Sequence, residues 1–284
     1  MTLKEIKNYF IESLSGYYSY NEAEAFFFII LEDIFNTSKT KYILNSNKES
    51  NIHLKDFSDI IDQLKNFVPI QHITGKAKFY GRDFFVNSHT LIPRPETEQL
   101  TSLIINDYYK QEGLKIIDIG TGSGCIAITL SLELRHSEII ALDNSYNALK
   151  IAKKNSEKYK AKIKFENKNF FDTYHSYNNN YFDIIVSNPP YIPYKDKKKV
   201  DKNVIDYEPN TALFVPDDSP TVFYEYLKKL ADKSLKSNGK IYMEINPDFA
   251  KKIMNLFEKK YNTSLKKDIF GKNRFIIAQK NENR

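Results

Sequence analysis

The chain has 284 residues, 41% hydrophobic and 27% charged, with a net charge of +6, one Cys and no Trp. That length suits one large domain plus a small one, or two modest ones, and the composition is that of a folded rather than a disordered chain. No apolar run approaches the roughly 18–20 residues of a membrane span, and one Cys excludes an internal disulfide framework or a Cys-rich zinc site. The charged amphipathic start, Met1-Thr-Leu-Lys-Glu-Ile-Lys7, argues against a secretory signal. A reducing cytoplasm is the expected setting. The modest positive charge fits a Lys- and Asn-rich composition and singles out no partner.

Residues 1 to about 70 read as helical. Leu3, Ile6, Tyr9, Phe10 and Leu14 recur at helical spacing, as do the apolar positions of Ala23 to Phe35, with Gly16 and Asn21 between them. A further helix from about Leu54 to Phe67 stops before Pro69, because the residue ahead of a proline is steered out of the helical region. A small helical domain over 1–72 is expected, followed by a linker over 73–92. There, aromatic and β-branched residues on both sides of Gly81 (Lys78 to Val86) suggest a β-hairpin. Pro95, Glu96 and Glu98 mark a helix start, since proline is preformed for the first turn and carboxylates favour the positive end of the helix dipole.

The third segment, 93–284, alternates. Strands are expected at Lys115–Ile119, Glu138–Leu142, Lys162–Phe165, Phe182–Val186, Lys240–Ile245 and Arg274–Ala278. Helices are expected at Cys125–Leu134, Ala148–Lys158, Thr221–Leu235 and Asp248–Lys259. Such alternation predicts an α/β, Rossmann-like fold, a mostly parallel sheet with helices on both faces. Asn178–Asn180 and the basic stretch Lys195–Lys202 read as surface loops.

Three of the nine glycines, Gly120, Gly122 and Gly124, fall within five residues between a strand and a helix. Small residues there let a ligand approach the backbone, and the helix N-terminus presents unpaired amides. Asp143, at the end of the next strand, can accept hydrogen bonds from both hydroxyls of an adenosine ribose. These features alone do not separate dinucleotides from S-adenosylmethionine. The dinucleotide fingerprint G-x-G-x-x-G, however, needs a glycine where Cys125 stands. Cys125 itself reads as a small core residue rather than a nucleophile.

Ser187-Asn-Pro-Pro-Tyr191 follows a buried strand at the carboxyl edge, where open α/β sheets bind ligands. Two prolines stiffen the backbone and remove amide donors, leaving carbonyl oxygens. Asn188 adds a side-chain acceptor and Tyr191 a flat ring, a set suited to a planar NH2 group. An amide or aryl-amine lone pair is delocalised and a poor nucleophile. Accepting both N–H bonds, at Asn188 and the Pro189 carbonyl, orients the nitrogen and favours its developing positive charge without a dedicated base.

Together with Gly120-Thr-Gly-Ser-Gly124, which resembles motif I of class I methyltransferases, these segments resemble the HemK/PrmC-type glutamine methyltransferases of class I peptide-chain release factors. The resemblance runs from about residue 65 onward. It is carried by Pro69 to Gly75, Phe79-Tyr-Gly81, Leu91-Ile-Pro-Arg-Pro-Glu-Thr-Glu98, Asp118 to Gly124, Ser187 to Tyr191 and Tyr207-Glu-Pro209 with Ala212-Leu213. The Arg94–Glu98 segment discriminates most, because many amine methyltransferases share Asn-Pro-Pro-Tyr without it. The resemblance implies a seven-stranded class I methyltransferase domain and a helical domain that docks the factor. It implies S-adenosylmethionine as methyl donor with no metal, and the glutamine of a Gly-Gly-Gln loop as acceptor. By motif position Gly120, Thr121, Gly122, Ser123, Gly124, Asp143 and Phe170 bind the cofactor. Asn188 contacts cofactor and glutamine, Pro189, Pro190 and Tyr191 complete the substrate pocket, and Asn188 and Tyr191 are the catalytic pair. Neither membrane nor direct nucleic-acid binding is expected. Asn169-Phe170 stands where an acidic residue and a tryptophan are common in the family, and Ile245-Asn-Pro-Asp248 replaces a Gly-x-x-Gln-like stretch. The alternatives are a methyltransferase for an exocyclic amine of DNA adenine or ribosomal RNA guanine, and a cofactor-binding scaffold.

Overall fold

The computed structural model describes residues 1–281. Its first five helices are α1 (Leu3–Leu14), α2 (Tyr20–Asp33), α3 (Lys39–Asn45), α4 (Lys55–Lys65) and α5 (Ile70–Thr74). The first begins at a reciprocal cap, in which the Thr2 hydroxyl accepts from the Glu5 amide at 3.2 Å and the Glu5 carboxylate accepts from the Thr2 amide at 2.8 Å. Ser19 and Ser38 cap α2 and α3 more simply, their hydroxyls accepting from the Glu22 and Lys41 amides with no return bond. The helical periodicity buries Ile6, Phe10, Leu14, Phe27, Ile30, Leu31, Phe57 and Leu64 in one core, where the ring of Phe10 lies 5.7 Å from Phe27 and 5.6 Å from Phe57. This compact unit comprises Met1–Lys76 and also Lys202–Tyr207, whose Tyr207 hydroxyl donates to the Asn66 carbonyl at 2.8 Å.

The second unit comprises Ala77–Asp201 and the chain from Glu208 onward. It opens with the expected hairpin, β1 (Lys76–Phe79) and β2 (Arg82–Phe85), and continues with α6 (Pro95–Tyr108), β3 (Lys115–Ile119), α7 (Cys125–Glu133), β4 (Glu138–Asp143), α8 (Tyr146–Tyr159), β5 (Ile163–Asn167), α9 (Phe170–Thr173) and β6 (Phe182–Ser187). The short pieces β7 (Ile192–Pro193) and a 3-10 turn over Tyr194–Lys199 follow, then α10 (Lys202–Tyr207), which belongs to the first unit, and α11 (Asn210–Leu213) and β8 (Phe214–Val215) of the second. The chain then completes α12 (Val222–Ser234), β9 (Leu235–Glu244), a 3-10 turn over Pro247–Phe249, α13 (Ala250–Phe257), β10 (Tyr261–Lys267) and β11 (Asn273–Lys280).

Seven strands form one sheet in the order β10-β11-β9-β6-β3-β4-β5, all parallel except β11, which runs against both neighbours. Alternate side chains of each strand serve opposite cores. Ile116, Ile184, Val186 and Tyr242 face the layer of α6, α7 and α8. Ile117, Ile185, Ile241 and Met243 face the layer of α12 and α13. The hairpin joins the first of these cores through Phe79 and Phe84, the latter 5.6 Å from Tyr159.

Two segments differ from expectation. Tyr261–Lys267 is a seventh strand at the sheet edge, where only one face needs burial, so Asn262, Thr263 and the lysines leave no apolar run to read. The basic stretch after Tyr194 is not a plain loop: it forms the 3-10 turn and leads into α10.

Candidate active site

The strand order places β3 between β6 and β4, so the chain leaves β3 in one direction and returns on the other side. The loops after β3 and β6 therefore diverge at the carboxyl edge and open a crevice. The crevice is lined by Gly120, Thr121, Gly122, Ser123, Asp143, Phe170, Asn188, Pro189 and Pro190. Of the residues expected at the site, Gly124 and Tyr191 are not in that lining.

The glycine loop is built by backbone conformation. Gly120, Gly122 and Gly124 all have positive φ, at 74°, 55° and 81°. The amides of Gly120 and Thr121 donate to the Leu142 carbonyl at 2.8 and 3.0 Å, which ties the loop to the end of β4. A Cβ at Gly120 or Gly122 would meet nothing within 4 Å, whereas one at Gly124 would lie 3.1 Å from both the Cβ of Ala152 and the Cδ1 of Ile128. The first two glycines thus leave open space and the third lets α7 pack on α8. Fully buried Asn155 of α8 secures the arrangement: its Nδ2 donates to the Ser123 and Phe85 carbonyls at 2.9 and 3.0 Å, and its Oδ1 accepts from the Phe85 amide at 2.7 Å.

Two carboxylates flank the loop. Asp118, fully buried in β3, accepts from the Thr121 hydroxyl at 2.6 Å, and burial pushes its pKa up to about 7. Asp143 accepts from the Gly122 amide at 2.9 Å on one oxygen and from the Ser145 amide at 2.8 Å on the other. Burial raises its pKa, and those amides oppose the rise. The Cys125 thiol is pushed up to about 12 by burial and stays neutral, as a core residue should.

At the end of β6 the Ser187 hydroxyl donates to the Ile119 carbonyl at 2.8 Å, fixing the mouth of β6 against that of β3. The Asn188 Nδ2 donates to the Thr97 hydroxyl at 2.9 Å. Thr97 donates to Glu244 Oε2 at 2.8 Å, and the Tyr191 hydroxyl donates to Glu244 Oε1 at 3.1 Å. Glu244 is 2% exposed, and burial pushes its pKa up to about 7 against the pull of Thr97, Tyr191 and Arg274. Burial, and after it the same carboxylate, raises the Tyr191 phenol. Asn246 has two tasks. Its Nδ2 donates to the Tyr191 carbonyl at 3.3 Å, and its Oδ1 caps the following turn by accepting from the Asp248 amide at 3.1 Å.

The rim of the crevice is also fastened. Buried Glu208 accepts from the Ile92 amide at 2.9 Å and pairs with Arg94, joining the segment that carries His89, Thr90 and Pro93 to the one that carries Pro209 and Thr211. Phe171 and Phe223, 4.7 Å apart, extend the aromatic wall begun by Phe170. Asn169 spends its side-chain oxygen on the Phe171 amide at 3.1 Å.

The sequence reading missed Thr97, Asn155, Glu208 and Glu244 as parts of the site. Glu244 carries a readable sign, an acid closing a buried strand, as Asp143 does. Thr97 lies in the most discriminating segment, though nothing in that segment says what it touches.

Comparison with known proteins gives two matched regions: residues 5–75 match the PrmC N-terminal domain, and residues 85–210 match the Methyltransferase small domain. The chain is 43% identical over 282 residues to a release factor glutamine methyltransferase of Flavobacterium psychrophilum, covering 97% of this chain and 98% of that protein. It is 36% identical to a protein of the same name from Bacteroides thetaiotaomicron, covering 98% and 100%. A solved methyltransferase structure from Pyrococcus furiosus, 18% identical, aligns with 79% of this chain and 100% of its own at a TM-score of 0.49.

Proposed function

The chain belongs to the release factor glutamine methyltransferases, and from that membership we propose how its crevice works: it methylates the side-chain amide nitrogen of the glutamine in the Gly-Gly-Gln loop of a class I peptide-chain release factor, with S-adenosylmethionine as donor. The observation that carries this reading is Asn188 held at the mouth of β6, in the same crevice as the glycine loop.

The residues present fit the donor. Gly120 and Gly122 leave space that a Cβ would occupy, and Asp143, with one amide on each oxygen, keeps lone pairs for ribose hydroxyls. Phe170 offers a face for adenine, and Thr121 and Ser123 complete the loop around the donor. The bound donor would supply an electrophilic methyl group and leave as the neutral thioether S-adenosylhomocysteine, the nitrogen's surplus proton passing to solvent. The substrate amide is oriented by Asn188 Oδ1 and the Pro189 carbonyl, which accept its two N–H bonds and favour positive charge on nitrogen as its lone pair turns outward. Pro190 stiffens that turn. Tyr191 supports the pocket from behind, its ring anchored through Glu244. The reading requires no metal.

Residues 1–72 serve as the docking domain, residues 73–92 as the linker and residues 93–284 as the transfer domain. Among the described residues no helix is long and apolar enough to cross a membrane. A cytoplasmic setting with neither membrane nor nucleic-acid contact follows from a substrate that works in translation termination.

The test supplies labelled S-adenosylmethionine with a release factor, its Gln→Ala variant, DNA or ribosomal RNA in separate reactions. Label is expected on the native factor alone. Label on nucleic acid, or equal label on the variant factor, refutes the reading and favours the exocyclic-amine alternative or another side chain.

A further inference from the structure

We propose that Thr97 and Glu244 are positioning residues for the transfer: Glu244 commits the hydroxyl proton of Thr97, and Thr97 thereby decides which end of the Asn188 amide faces the crevice. The inference rests on the reading that Asn188 accepts from the substrate amide.

A threonine hydroxyl has one proton and two lone pairs, and an asparagine amide has a donor end and an acceptor end that differ little in shape. Either end of Asn188 could therefore face a free hydroxyl. Here the hydroxyl is not free. Thr97 is 4% exposed, and its proton goes to Glu244 Oε2 at 2.8 Å. What Thr97 has left to offer Asn188 is lone pairs, and it receives Nδ2–H at 2.9 Å. An amide turned by half a rotation would set Oδ1 against those lone pairs, two acceptors face to face in a buried place. The orientation that leaves Oδ1 for the substrate is thus selected by a carboxylate one residue removed. The other oxygen of that carboxylate takes the Tyr191 hydroxyl at 3.1 Å, so one group fixes both ends of the Asn188–Tyr191 loop. The Tyr224 hydroxyl, donating to the Glu244 backbone carbonyl at 3.0 Å, holds the strand end in place.

This gives Thr97 a task that separates it from ordinary buried threonines. Its methyl group could be supplied by valine, but its oxygen could not.

The experiment, run above about pH 8 so that Glu244 is ionised and can only accept, compares wild type, Thr97→Ser, Thr97→Val, Asn188→Ala and the Thr97→Val/Asn188→Ala double variant in steady-state methyl transfer to a release factor, with cofactor affinity measured separately by equilibrium binding. Thr97→Val is expected to lower kcat on the order of 10- to 10²-fold, as misplacement of a reacting group does, with cofactor Kd changed by less than about twofold. Thr97→Ser restores most of the rate. In the Asn188→Ala background Thr97→Val costs nothing further, because the two act as a unit. An equal loss in both backgrounds overturns the proposal. A second readout needs no substrate. The side-chain amide signals of Asn188, identified in a 1H–15N spectrum by their loss in Asn188→Ala, should move in Thr97→Val and in Glu244→Gln but stay near their native position in Thr97→Ser. Signals unmoved by Glu244→Gln overturn the proposal. Wild-type protein that leaves the factor unmethylated refutes the functional reading instead, and the amide signals then decide the positioning on their own.

Discussion

Asn188 is neutral, half-buried and short, and in the proposed reaction its task is to orient an amide nucleophile that needs orientation more than deprotonation. Asn188→Ala should therefore reduce kcat on the order of 10²-fold or more while cofactor affinity changes far less. Parallel losses in rate and affinity would make it mainly a donor-binding residue. Asp143→Ala should do the opposite, raising the cofactor Kd in a titration with little effect on kcat at saturation, and unchanged affinity would remove its ribose role. Asp118 and Glu244 give the fold a pH signature. Both begin from ordinary carboxyl values, 3.8 and 4.5, and are raised to about 7 by burial, so between those limits the native state keeps protons that the unfolded chain releases. Their contribution to stability therefore falls as pH rises through that window. Asp118→Asn should gain on wild type in melting temperature from about pH 4 to 7, and a difference that stays constant or shrinks would contradict the shift. At this scale the sequence displayed the residues whose neighbours in the chain share their task, such as Gly120 to Gly124. It hid Glu244, because Thr97 lies 147 residues away and Tyr191 lies 53 away, and only the sheet brings them together.

Among elements, the hairpin, α8 and the glycine loop form one support, and Asn155 is the joint. Replacing it with Leu conserves size but strands the Phe85 amide and the Phe85 and Ser123 carbonyls in a dry interior. A loss of about 1–3 kcal/mol is expected in urea unfolding, since unpaired buried polar groups carry their full desolvation cost. Cofactor binding should weaken with it, because Ser123 sits on the crevice wall; unaltered stability would mean that water replaces the amide. The inner strands β3, β4 and β6 were legible because burial on both faces writes continuous apolar runs, Ile116-Ile117 and Ile184-Ile185-Val186 among them. The edge strand β10 was not, since its exposed face tolerates Asn262, Lys266 and Lys267. The short pieces from Ile192 to Val215 carry too few residues to show any period, and the role of Glu208 was hidden with them.

At the scale of the whole molecule, the crevice lining falls entirely within the second unit. A chain beginning at Ala77 should then bind S-adenosylmethionine within a few-fold of wild type. It should lose roughly 10²-fold or more in kcat/KM on an intact release factor, because remote contacts of a large substrate contribute to its transition state. Wild-type efficiency on the intact factor would strip residues 1–72 of the docking role. Those residues carry helical periodicity and no chemical motif, so the sequence announced a domain without its purpose, and their match to the PrmC N-terminal domain supplies the context. The central claim is that this crevice methylates one glutamine nitrogen. Its most direct test is fragmentation mass spectrometry of a release factor after incubation with the enzyme and S-adenosylmethionine. A single added methyl localised to the glutamine of the Gly-Gly-Gln peptide is the predicted result, and a methyl on any other residue, or an unmodified peptide at full turnover, would contradict it.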